Sequence, residues 1–81
     1  MRLTSDQRRA LRLLAGKQHG IAEPLMLARG FQREMLAELV LAGLVTVVTE
    51  TMRVGGRPIK VERYRITDDG WALVAGGSDT Q

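Results

Sequence analysis

Cysteine is absent from the 81 residues, and with it every disulfide and every thiolate metal ligand. That fits a reducing compartment, so a cytoplasmic location is expected. Aromatics are nearly absent too: Phe31, Tyr64 and Trp71 are the only three. A core must therefore be built from Leu, Val, Ile and Met, and no platform for stacking unpaired bases is expected. His19 is the single histidine and has no second ligand at a metal-binding spacing, so no metal site is expected. No apolar run approaches a membrane span, and the stretch from Arg2 to Arg12 is amphipathic rather than a signal-peptide core. Glycine-rich phosphate loops are missing, and the adjacent Asp68 and Asp69 suit a helix start better than paired acid and base work. No catalytic residue, no cofactor and no enzyme activity is expected.

What is present is a basic, aliphatic chain. Twelve Lys and Arg against nine Asp and Glu give a net charge of +3, with a pI of 10.2. Such a balance favours polyanionic partners, but the excess is modest and the placement of each cation decides its meaning. The length allows one small domain, expected over 1–76 with a flexible tail at 77–81, and leaves little room for an active-site cavity.

The stretch from Gly30 to Thr49 organises the chain. Met35, Leu36, Leu39 and Val40 recur at helical spacing, Gly43 stands where a helix is released, and the run from Val45 to Thr49 is β-branched. Upstream, Thr4 with Gln7 three residues on predicts a capping box for a first helix ending near Ala15. Gln7, Ala10, Leu11 and Leu14 share its inner side, while Arg8, Arg9 and Arg12 form an outer ridge readable as a solvated face. Ile21 suits a brief strand, and Pro24 the first turn of a short second helix at about 23–29. Gly30 breaks that helix, and a third follows at once. Thr67, Asp68 and Asp69 cap a last helix to about Ala75, from which Trp71 and Val74 are expected to fold back on the core.

Between the third and last helices lies a hairpin. A three-residue loop would oppose Glu50 to Glu62, so a four-residue loop from Gly55 to Pro58 is preferred, pairing Glu50 with Arg63, Val47 with Ile66 and Val54 with Ile59. A two-residue Gly55-Gly56 turn keeps the same face parity. In either case Val45, Val47, Tyr64 and Ile66 share the inner base, and Arg53 and Lys60 continue that face outward beside loop residue Arg57. Met52, Val54, Ile59 and Val61 make the opposite face of the tip apolar.

The order of these elements carries a resemblance. The segment LVLAGLVTV resembles the end of the recognition helix and the first wing strand of winged-helix regulators, and YRITDDGWALVAG is similar to their second wing strand and the threonine-capped helix after it. The likeness is to the DNA-binding core of MarR-like and PadR-like transcription regulators, over about Thr4 to Ala75. It implies an α+β winged helix-turn-helix of three core helices, a β-hairpin wing and a short C-terminal helix. The recognition helix would lie at about Phe31 to Ala42 and the wing at about Thr46 to Thr67. The long terminal helices by which those regulators dimerise, and their effector-binding domain, are not expected here.

Two functions follow as expectations. In the first, the domain binds double-stranded DNA as a bacterial transcription regulator. Gln32 and Arg33 would read adenine and guanine, Ala37 would touch a thymine methyl, and Arg53, Arg57 and Lys60 would meet phosphates. Glu34 and Glu38 oppose it by projecting from the same outward side of the third helix. In the second, Leu41 with Met52, Val54, Ile59 and Val61 forms a protein-interaction or dimerisation surface without DNA binding.

Overall fold

The computed structural model describes residues 2–75; the expected tail at 77–81 lies outside them. The chain runs α1 (Ser5–Ala15), β1 (Ile21–Ala22), α2 (Glu23–Ala28), α3 (Arg33–Leu41), β2 (Val45–Val54), β3 (Arg57–Ile66) and α4 (Asp68–Ala75). This is an α+β fold with winged-helix-like topology. Its antiparallel sheet has the order β1-β3-β2.

Local chemistry accounts for most boundaries. The capping box forms as expected: Thr4 Oγ1 accepts from the Gln7 amide at 3.1 Å, and Gln7 Oε1 accepts from the Thr4 amide at 2.9 Å. Helix α3 is released by Gly43 at φ +79, where the amides of Gly43 and Leu44 close onto the carbonyls of Val40 and Leu39. That pairing satisfies two carbonyls a helix end would otherwise leave open, and it demands a left-handed residue. Thr67 caps α4 through the Gly70 amide at 3.0 Å, and its hydroxyl donates to the Gly43 carbonyl at 2.7 Å. One threonine thus ties the last helix to the end of α3.

The core joins Leu11 and Leu14 of α1, Met26 of α2, Leu36 and Leu39 of α3, and Val45 of β2, each fully buried. Phe31, Tyr64 and Val74 close it. Three expectations are corrected. Phe31 precedes α3 and is buried, the helix starting at Arg33 after an extended Gln32. Trp71 is 50% exposed, since the inner side of α4 is filled by Val74.

The hairpin register is the third. Gly55 and Gly56, at φ +60 and +82, form a two-residue turn, so Val54 opposes Arg57, Met52 opposes Ile59, Glu50 opposes Val61 and Val47 opposes Tyr64. The four-residue loop fails because two successive glycines supply the left-handed pair that matches strand twist. The pairing of Glu50 with Arg63 survives as a diagonal contact, with Nε donating to Oε1 at 3.0 Å. In this register Arg57 is a strand residue on the same face as Met52 and Val54, opposite the face of Arg53 and Lys60.

Candidate functional site

Helix α3 and the inner face of the hairpin converge on a groove of about 400 Å3. Its lining combines the apolar Ala37, Val40, Leu41 and Val47 with the polar Glu23, Arg33, Glu62 and Tyr64. The strand period brings Val47, Glu62 and Tyr64 to one side of the ribbon, and the helical period brings Arg33, Ala37 and Leu41 to the facing side of α3. Leu41 is 87% exposed, which is unusual for an aliphatic side chain beside a folded core.

Polar groups at the inner end of the groove are linked. The Tyr64 hydroxyl donates to Glu23 Oε2 at 2.9 Å, and Arg33 Nε donates to the same oxygen at 3.3 Å. The Glu23 side chain is 17% exposed and that of Arg33 is 67% exposed, so the cation remains within reach of a ligand. Burial of the ring, followed by the hydrogen bond to Glu23 and the charge of that carboxylate, pushes the Tyr64 pKa from 10.0 up to about 12.

The sequence-derived site residues divide into three groups. Gln32 is exposed immediately before α3, where its side chain makes no capping bond, and Arg33 and Ala37 follow on the groove side. Arg53 and Lys60 continue the inner face of the hairpin outward, and Arg53 Nη1 donates to the Gly56 carbonyl at 3.3 Å across the turn. Arg57 stands on the reverse face with Met52, Val54, Ile59 and the half-buried Val61. Leu41 is therefore separated by the ribbon from the other four residues of the expected apolar surface.

Glu34 and Glu38 are both exposed on α3, one turn apart, and Glu38 is in addition bonded to α1. Glu38 Oε1 accepts from Gln7 Nε2 of α1 at 3.2 Å, which turns that carboxylate toward the neighbouring helix and satisfies the buried Gln7 amide.

The contributions of Glu23, Glu62 and Tyr64 were not foreseen. Glu23 lies 41 residues from Tyr64 and ten from Arg33, so only the fold reveals their meeting. Val48 was also missed on the reverse face, though strand alternation from Met52 signals it. A separate basic concavity of about 260 Å3 includes Lys17, Arg29 and Arg63 beside β1. Arg9 stacks its guanidinium over Phe31 at 5.0 Å from the ring centre. Among the described residues no group of His, Asp and Glu is arranged to hold a metal ion, and no helix is long and apolar enough to cross a membrane.

The chain matches no family model, no curated protein sequence and no solved structure.

Proposed function

We propose that this domain binds duplex DNA as a small winged-helix protein akin to the DNA-binding cores of MarR-like and PadR-like regulators, with the hairpin on the phosphate backbone and the start of α3 in the major groove. The observation that carries the reading is the outer hairpin from Thr51 to Lys60, which is wholly exposed, has no acidic residue, and bears Arg53 and Lys60 on its inner face and Arg57 on the reverse. Arg33, Arg53 and Lys60 border one side of the molecule, so a single polyanion can meet all three. Gln32 and Arg33 supply base-reading chemistry at the helix start. Glu23 and Glu62 oppose a phosphate at the base of the groove, so contact is strongest toward the tip and sequence discrimination is weak.

Three neutralised phosphates give a log–log salt dependence with a slope of about −3, and removing one cation lowers its magnitude by about 0.9. Titration of random-sequence duplex into labelled protein at several salt concentrations, with amide shifts mapped in parallel, tests this. Shifts concentrated around Arg33 and the outer hairpin are expected, and Lys60→Ala should flatten the slope. Affinity independent of salt, or shifts confined to other surfaces, rejects DNA binding.

A second reading, a protein-interaction module that does not bind DNA, is favoured by the apolar share of the groove lining and the exposure of Leu41 within it. Under it Leu41→Ser weakens capture of a protein partner while no duplex binding is measurable.

A further inference from the structure

Among the described residues, nothing covers the reverse face of the outer hairpin. β1 pairs with Tyr64 and Arg63, so among the described residues no third strand lies beside the rows beyond Val48 and Arg63. An isolated two-stranded hairpin is at best marginally stable in water. On this face alternation collects Val48, Met52, Val54 and Ile59, each 43 to 56% exposed, with Val61 between them. The other face of the same rows carries Thr49, Thr51, Arg53, Pro58, Lys60 and Glu62. The ribbon is therefore amphipathic, with its aliphatic side turned away from α3.

We propose that a second copy of this chain covers that face, with the two hairpins packed face to face and pointing in opposite directions about a two-fold axis at the row of Met52 and Ile59. The charges on this face select this occupant. Arg57 bounds the patch toward the tip, while Glu50 stands within it between Met52 and Val48, bonded through Oε1 to Arg63 of the next row toward the base. Reversal about the central row lays the Val54–Arg57 row of one copy over the Glu50–Val61 row of the other. β2 then lies over β2 and β3 over β3, so Arg57 of each copy comes diagonally beside Glu50 of the other, and the aliphatic side chains meet between these two pairs, the self-complementarity that a two-fold contact requires. A parallel arrangement would instead bring the two Arg57 side chains to the same end.

Four aliphatics at this exposure leave roughly 300 Å2 of apolar surface per copy, the size of a substantial patch on a monomer. The pair would bury on the order of 700 Å2, below the ~1,200 Å2 typical of stable complexes, so the dimer is weak and forms at high protein concentration. The side bearing Arg33 and Lys60 stays open in the dimer, and the contact is independent of DNA.

Sedimentation across a concentration series should show the average mass of the parent rising toward two copies. Val54→Asp should weaken self-association by about tenfold or more, as expected for a charge placed in an apolar contact, whereas Thr51→Asp on the inner face should leave it unchanged. Because the chain has no cysteine, single cysteines give a readout that does not depend on the Asp variants folding. Met52→Cys, at the axis, should form an intermolecular disulfide on mild oxidation far faster than Thr51→Cys. A parent that stays monomeric at millimolar concentration, equal weakening by the two Asp variants, or equal cross-linking at the two positions overturns the proposal.

Discussion

Tyr64 joins the core to the groove, since its ring is buried while its hydroxyl reaches the carboxylate of Glu23. Its raised pKa fixes the sign of an alkaline effect. Below pH 10 the phenol is neutral in both folded and unfolded chains and stability does not respond to it. Between 10 and about 12 the unfolded chain releases a proton that the folded chain retains, so stability falls, by up to about 1.4 kcal/mol per pH unit. With a single tyrosine in the chain, phenolate absorbance reads the transition directly, and Tyr64→Phe should remove that share of the alkaline slope in denaturant melts. Gly70 sets a steric limit of a different kind. A β-carbon there would lie 2.2 Å from the Leu44 carbonyl and 2.9 Å from Ile66 Cγ1, so Gly70→Ala must displace backbone where β2 begins and is expected to cost about 2–3 kcal/mol. Gly16→Ala, whose new carbon meets nothing nearer than 3.7 Å, should be neutral or mildly stabilising in the same thermal melts.

Elements carry the proposed function, and the balance of charge between α3 and the hairpin decides it. Glu62 stands on the inner hairpin face between the groove and the cations farther out. Glu62→Gln should tighten duplex binding by roughly two- to fivefold at low salt and by less at high salt, because it removes a like charge from the path of the phosphates. Competition anisotropy at two ionic strengths measures both effects. At this scale much was legible in advance. The capping box at Thr4, the release at Gly43, the cap at Thr67 and the strand at Ile21 all follow from short-range chemistry. The hairpin register differs from the expected one because the long Arg63 side chain reaches Glu50 diagonally, without direct opposition, and the glycine pair governs the turn. The linkage of Glu23 to Tyr64 and Arg33 was illegible, since nothing local to any of them encodes a contact made by the whole fold.

As a molecule, the protein is elongated, 48 × 21 × 20 Å, because the hairpin extends past the helical core. Cohesion should follow that shape. Amides in the rows from Glu50 to Lys60 are expected to exchange hydrogen through local opening, well before those of Leu39, Val45 and Tyr64, which wait for global unfolding. Exchange followed by mass spectrometry at low and high protein concentration tests this, and protection of the outer rows that grows with concentration would accompany pairing of the two ribbons. The buried set read from the sequence came close to the core, because helical and strand periods report which sides face inward. Trp71 escaped that reading because spacing from Val74 does not determine how far α4 turns about its own axis.

The unbroken pairing from the turn to the helical base has one more consequence. Adding a single residue to each strand between the Val48 row and the Thr49 row would keep every outer pair opposed but roll the distal ribbon half a period. Lys60 and its neighbours would then look away from α3, and the oily side would look toward it. Such a chain keeps its composition almost intact and its core untouched, yet should exchange the positions of its two surfaces. Nucleic-acid affinity should fall, and any surviving self-pairing would have to form across the opposite side.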